Sequence, residues 1–217
     1  TGPINGSISS LAAGGQVILT SRARIARNIS GFLFSSINTR EEKRDILQSV
    51  RDSFLKDPKE KQSYVFYNIA RLKKTQRRYL IEKHILSPEM LVRMNYKGLI
   101  LKCDGPELEN TISVLINEED HLRIQSVVAG LDISRAYTEV SKIEKMLERK
   151  INFAFDKELG FLTCCPTNLG TGLRVSIVAH MPGAVVTGKI EEIAKNLAKT
   201  GYNIRGLFGE NSDVVGN

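Results

Sequence analysis

Hydrophobic and polar positions along this chain follow two rhythms, and the switches between them mark out its elements. Thr39 to Phe54 has apolar side chains at Ile46, Leu47, Val50 and Phe54, the spacing of one helical face. Thr39 and Glu42 stand three apart at its start, as a capping box requires. A second helix is predicted over Lys73 to Ile85, ending before Ser87-Pro88 because a residue preceding proline avoids helical backbone. Asp132 to Arg149 is the clearest helix, with Ile133, Ala136, Tyr137, Val140, Ile143 and Leu147 on one side. Another is predicted over Ala184 to Lys199. Elsewhere the β-rich period takes over. Gln16 to Thr20 reads as a strand leading into Ser21-Arg-Ala-Arg24, and Gly98 to Lys102 as a short apolar strand. Thr111 to Ile116 and His121 to Val128 read as a hairpin around the acidic turn Asn117-Glu-Glu-Asp120. Leu173 to Met181 is a half-buried strand after the loop Thr163 to Gly172, and Asn203 to Phe208 a last short one. Helices beside hairpin-linked strands predict an α+β domain, an antiparallel β-sheet flanked by helices. Residues 1–15, polar and glycine-rich, are expected to form a flexible lead, and Lys56 to Lys61 a polar break.

Composition narrows the setting. The 217 residues suit one domain, and 41% hydrophobic content supports a sizeable core. No apolar run approaches the roughly 18 residues of a membrane span. Thr1 to Ser10 lacks the basic-then-apolar pattern of a secretory leader, so no membrane association is expected. Cys103, Cys164 and Cys165 make an odd count without a CxxC pair, which suits a reducing cytoplasm better than a disulfide framework or zinc. The net charge of +7 admits nucleic acid, an anionic surface or a polyphosphate. Arg71, Lys73, Lys74, Arg77 and Arg78 read as a solvated helix face. An aromatic content of 6% leaves few stacking groups, so nucleic acid is not expected as a partner.

The chain has neither a GxxxxGK[ST] loop nor a GxGxxG turn. Instead, arginines recur at strand edges: Arg22 and Arg24, two apart and so on one face, then Arg123, Arg174 and Arg205. A guanidinium is permanently charged and offers a planar fork of donors. A triphosphate would satisfy several at once, although any one of them could equally be a surface or salt-bridging residue. Asn117-Glu118-Glu119-Asp120 and Gly209-Glu210 read either as solvated acidic tips or as carboxylates that grip a cation. Cys165 reads as a reactive thiol if a cation or helix start lies near it, and as an inert packing residue otherwise. His84 and His121 are not spaced as a metal pair, and no GxSxG elbow supports a hydrolase.

These segments resemble the ATP:guanido phosphotransferase family, which includes arginine and creatine kinases. Asn117-Glu-Glu-Asp-His-Leu-Arg123 is similar to its acidic motif and Cys165-Pro-Thr-Asn-Leu-Gly-Thr171 to its cysteine motif. Thr20-Ser-Arg-Ala-Arg24 and Arg205-Gly-Leu-Phe-Gly-Glu210 match two further blocks. Ile81 to Pro88, Tyr202 to Glu210 and the early Arg-x-Arg block resemble the bacterial protein-arginine kinase branch. The resemblance implies the glutamine-synthetase-like fold of a guanido kinase catalytic domain. It implies ATP as phosphoryl donor, with Mg²⁺ held mainly by the nucleotide and not by protein ligands. Arg22, Arg24, Arg123, Arg174 and Arg205 would bind the phosphates, with His84 against the nucleotide. Thr20, Ser21 and Ala23, then Val175, Ser176, Ile177 and Val178, then Gly206, Leu207, Phe208, Gly209 and Glu210 complete the nucleotide-binding blocks. Glu119 and Glu210 would hold the acceptor guanidinium, with Cys165 beside it.

The implied activity is phosphorylation of arginine residues in proteins. A phosphagen-type kinase for free arginine or another small guanidine is one alternative, and a non-catalytic arginine-recognising module another. Arginine-bearing protein substrates, an activator protein and a homo-oligomer are the implied partners. Residues 1–217 are expected to form the catalytic domain without a C-terminal segment found in the family.

Overall fold

Alternation along the first strand sets up the two faces of the sheet. In β1 (Ile18–Arg27), Ala23 and Ile25 are buried while Arg22 and Arg24 stay partly exposed on the opposite side. The computed structural model describes residues 17–56, 63–104 and 110–204. After β1 come α1 (Arg40–Leu55), β2 (Val65–Asn68), α2 (Lys74–Glu82), β3 (Gly98–Asp104), β4 (Asn110–Ile116), β5 (Leu122–Ala129) and α3 (Ile133–Glu148). A two-stranded hairpin, β6 (Phe155–Asp156) and β7 (Gly160–Phe161), precedes β8 (Leu173–Ala179), α4 (Pro182–Val186) and α5 (Ile190–Lys199). Six strands form one sheet in the order β2-β3-β4-β5-β1-β8, with every neighbouring pair antiparallel. This is the predicted α+β arrangement.

One face carries the main core. Ala23, Ile25, Ile112, Val114, Ile116 and Ile124 pack against Ile46, Val50 and Phe54 of α1 and against Ala136, Val140, Ile143 and Leu147 of α3. Each buried Val, Leu, Ile or Phe side chain among them contributes about 1.5–3 kcal/mol. The capping box forms as predicted: Glu42 N–H donates to Thr39 Oγ1 at 3.1 Å, and Thr39 N–H to Glu42 Oε2 at 2.8 Å. The Asp132 carboxylate caps α3 by accepting from Arg135 N–H at 2.9 Å.

The other face is covered only in part. Leu99, Leu101 and Leu115 pack under Leu80 of α2 and under Ile69, Leu72, Ile85, Leu86 and Met90. Strand register shows where that cover ends. Val65, Leu101, Ser113, Gln125, Arg24 and Arg174 lie on one continuous rung across the six strands. The rung becomes steadily more polar from β2 to β8, so the second core gives way to a charged surface on β5, β1 and β8.

Three elements differ from the sequence-based expectation. The helix predicted over Ala184 to Lys199 is two helices, because Gly188 takes a left-handed conformation at φ +69° and ends the first. The helix predicted to Ile85 stops at Glu82: His84 is left-handed at φ +55°, and the Ile85 and Leu86 amides both donate to the Leu80 carbonyl. Asn203 and Ile204 form no strand, and residues 205–208 lie outside the described residues. So do the predicted lead 1–15 and the block Arg205, Gly206, Leu207, Phe208, Gly209 and Glu210.

Candidate active site

The charged surface is built by register. Arg24 stands opposite Arg174 on β8 and Gln125 on β5, while Arg22 stands opposite Ser176 and Val127. Arg123 opposes Ala26 on the same face. Four guanidinium groups therefore gather over the β5-β1-β8 half of the sheet, with Thr20 and Val178 on the same side. Ser21, Ala23, Val175 and Ile177 alternate onto the opposite face, so their side chains do not join the arginines. Ser21 has a structural task there, donating to the Gly130 carbonyl at 2.8 Å and accepting from Asp132 N–H at 3.0 Å.

The cluster has too few counter-charges. Among the described residues, Arg22, Arg24 and Arg174 form no ion pair, and Arg22 Nε finds only Ser176 Oγ at 3.3 Å. Arg24 Nε is buried with no acceptor. Burial, and then the neighbouring arginines, push Arg24 down to about 9 and Arg22 to about 10. Removing cations from water without partners is unfavourable by several kcal/mol. An anion with several oxygens would relieve both the repulsion and the orphaned donor, so these residues fit a polyphosphate.

Arg123 is held differently. Its Nη2 pairs with Glu118 Oε2 at 2.5 Å, and the other oxygen of that carboxylate accepts from Ser87 Oγ at 2.5 Å. Sequence reading grouped Glu118 with a solvated tip. In the structure Glu118 and Asp120 are buried, and only Glu119 of the three is exposed. His84 lies beside the cluster: burial and then the charge of Arg22 lower its pKa, which favours the neutral imidazole.

The acidic turn also anchors the cysteine loop. Asp120 Oδ1 accepts from Asn28 Nδ2 and from Cys164 N–H, each at 2.7 Å. Glu119 and Cys165 are thus each one residue away from a single hydrogen bond. Partial burial and the neighbouring Asp120 and Glu118 carboxylates raise the Glu119 carboxyl, against a smaller opposing effect of Arg123. Burial and the adjacent Asp120 push the Cys164 thiol up to about 11. Cys165 Sγ lies 3.0 Å from Thr167 Oγ1, and the Cys165 carbonyl accepts from Thr163 Oγ1 at 2.8 Å.

Sequence reading missed Arg27, which fixes the far end of this loop. It is 3% exposed, ion-pairs with Glu144, stacks 3.5 Å from the Phe161 ring centroid and donates to the Thr171 carbonyl at 2.9 Å. Gly172 follows at φ +60°, and a Cβ there would meet Arg27 Nη1 at 2.5 Å and the Ala26 carbonyl oxygen at 2.6 Å. That closeness brings β8, and with it Arg174, into register on β1. An arginine followed by nothing but apolar and polar neighbours gave no periodic signal for this role.

The profile of the ATP:guanido phosphotransferase C-terminal catalytic domain matches residues 45–217. The chain belongs to the ATP:guanido phosphotransferase family. It is 39% identical over 202 residues to a protein-arginine kinase of Bacillus mycoides (strain KBAB4), covering 93% of this chain and 55% of that protein. A protein-arginine kinase of Syntrophomonas wolfei subsp. wolfei is 36% identical over 211 residues, covering 95% and 56%. The chain therefore spans somewhat more than half the length of these relatives. Among solved structures, the duplicated taurocyamine kinase of Schistosoma mansoni with bound transition-state-analogue components superposes with a TM-score of 0.77 at 25% identity. That superposition covers 93% of this chain and 28% of the other. Lombricine kinase shares the fold at a TM-score of 0.71 and 24% identity, over 90% of this chain and 56% of its own. The sheet with its arginine face is accordingly a guanido phosphotransferase catalytic fold.

Proposed function

We propose that this domain transfers the γ-phosphate of ATP to the guanidinium of arginine residues in proteins. The observation that carries the reading is a face of four arginines, three of them without a carboxylate, bordered by an acidic turn bonded to a cysteine loop. The bacterial protein-arginine kinase relatives support protein arginine as the acceptor.

The chemistry explains both halves of the site. Phosphoryl transfer spreads negative charge over the equatorial oxygens, so catalysis depends on positioning and electrostatics. Arg22, Arg24, Arg123 and Arg174 supply that field without a glycine-rich loop, and Arg205 belongs to the same set in this reading. Mg²⁺, carried by the phosphate oxygens, would add further charge neutralisation. Among the described residues, no group of three His, Cys, Asp or Glu side chains is arranged to hold a metal.

A guanidinium has a pKa above about 12 and is a poor nucleophile while protonated. The attacking nitrogen must form its bond to phosphorus as the bond to the ADP oxygen breaks, and must lose a proton. Glu119 is the acceptor of that proton in this reading, and its raised carboxyl makes it a better base than an ordinary glutamate. Glu210 is the second carboxylate on the acceptor, and Cys165 lies beside the cation in this reading. An activator protein, self-association and a cytoplasmic setting belong to the same reading. Among the described residues, no helix is long and apolar enough to cross a membrane.

Release of ADP measured with an arginine-rich protein and with free arginine tests the acceptor. Turnover with the protein at arginine concentrations where the free amino acid gives none supports the proposal. Turnover with free arginine alone selects a small-guanidine kinase, and turnover with neither contradicts catalysis by this chain.

A further inference from the structure

We propose that Gln125 is a positioning residue for the nucleoside part of the phosphoryl donor, acting by holding the His84 segment at the edge of the arginine face. The proposal rests on the reading of that face as the site for the ATP phosphates.

Gln125 is 2% exposed on the polar rung, between Ser113 and Arg24. Its Nε2 donates to the carbonyls of His84 and Ile85, both at 3.1 Å. These two carbonyls lie just past the end of α2, where His84 adopts a left-handed backbone that costs a non-glycine residue about 1–2 kcal/mol. Such a conformation persists when its surroundings over-determine it. A second tether closes the other end of the segment. Ser87 Oγ donates to Glu118, the same carboxylate that holds Arg123. Residues 84–87 are therefore fastened at both ends to the β4–β5 hairpin, which itself carries one of the four arginines.

The consequence is geometric. An anion on the arginines and a planar group attached to it would meet two surfaces whose separation is set by one hairpin. His84 is close enough to Arg22 to feel its charge, and a neutral imidazole can stack on a flat heterocycle. Gln125 touches neither phosphate nor base in this account. It acts through His84, and its amide is suited to the task because it is uncharged beside Arg24 and supplies two N–H groups to two acceptors.

A purely structural glutamine would only satisfy the stray carbonyls at the end of α2. The two roles separate when ligands with and without a base are compared. The full chain and its Gln125→Leu, His84→Ala and Ser87→Ala variants are titrated calorimetrically with ATP and with inorganic tripolyphosphate. Loss of the tether is expected to weaken ATP binding on the order of 10-fold, the usual effect of one net hydrogen-bonding interaction. Tripolyphosphate binding should change far less than ATP binding, since every variant keeps all four arginines and the Glu118–Arg123 pair. Adding Gln125→Leu to His84→Ala should weaken ATP binding no further. Ser87→Ala is partly exposed and keeps the Glu118–Arg123 pair, so it tests the second tether even if Gln125→Leu fails to fold; a few-fold selective loss of ATP affinity is expected.

Equal weakening of both ligands, or an ATP affinity untouched by the tether variants, overturns the proposal. Wild-type chain that binds ATP no more tightly than tripolyphosphate also overturns it while leaving the phosphate site standing. Wild-type chain that binds neither ligand removes the phosphate-site reading itself.

Discussion

The Cys164 amide donates to the Asp120 carboxylate at 2.7 Å, and this bond holds the cysteine loop against the acidic turn. The same oxygen of Asp120 accepts from Asn28, at the end of β1, so three segments far apart in sequence meet at one buried atom. Replacing Asp120 with alanine strands two donors. Stability should fall by about 2–3 kcal/mol, and turnover should fall more than ATP affinity does. Denaturant unfolding alongside steady-state kinetics checks this; an unfolding midpoint equal to wild type would contradict it.

Glu119 has the opposite character: it is exposed, and no described hydrogen bond fixes it. Glu119→Gln should therefore leave folding and ATP titration nearly unchanged while lowering transfer by about 10²–10⁴, the usual range for a general base. Because its carboxyl is raised above the ordinary glutamate value, wild-type activity should climb with pH through a limb lying above pH 4.5. That limb should vanish in the variant. A Glu119→Gln enzyme with normal turnover would remove the residue from the chemistry.

The arginine face makes a prediction about stability in the absence of turnover. A polyphosphate relieves repulsion among Arg22, Arg24, Arg123 and Arg174, so it should raise the unfolding temperature well beyond the effect of sodium chloride at equal ionic strength. At a hundred times its dissociation constant the ligand stabilises by about 2.7 kcal/mol. Arg24→Met should reduce the gain and make the ligand-free protein more stable, since it deletes a partly buried cation whose Nε is buried without a partner. A thermal scan showing identical shifts for chloride and tripolyphosphate would contradict the assignment.

His121 links acidity to the fold. Its Nδ1 accepts from Ile29 N–H at 3.0 Å, so Nε2 carries the proton that donates to the Leu33 carbonyl at 2.8 Å. Burial holds its pKa below the ordinary 6.5, outweighing the hydrogen bond to Leu33 and the charges of Asp120 and Glu42. Between the folded and unfolded values the unfolded chain binds more protons, so stability rises with pH in that window. The contribution is complete above 6.5 and is lost as pH falls through the depressed folded value. His121→Gln should flatten this dependence, measured as unfolding free energy against pH between 7 and 5. An unchanged slope would place the titration elsewhere.

Much of the framework was legible because local chemistry and tertiary packing agree. Thr39 and Glu42 announce a helix start on their own, and the run from Thr111 to Val128 is β-rich on both sides of an acidic turn. The arginine pair was legible as a same-face pair because strand period alone puts residues 22 and 24 together. What joins them to Arg174 is register across β1 and β8, which no local pattern encodes. The burial of Glu118 was hidden for a similar reason: its partners Arg123 and Ser87 come from a hairpin and a separate loop. Gln125 reads as an ordinary polar residue within a strand until its acceptors, 40 and 41 residues away, are seen. β2 and the β6–β7 hairpin, four and two residues per strand, are too short for a period to show.

The central claim is tested most directly by incubating the chain with γ-labelled ATP and an arginine-containing protein acceptor, then splitting the product between acid and alkali. The account predicts label on the acceptor that survives alkali and is lost in acid, the behaviour of a phosphorus–nitrogen bond, and label formed at least about 10²-fold more slowly with Glu119→Gln. Label that survives acid, or an unlabelled acceptor in a reaction where ATP is bound, would contradict it.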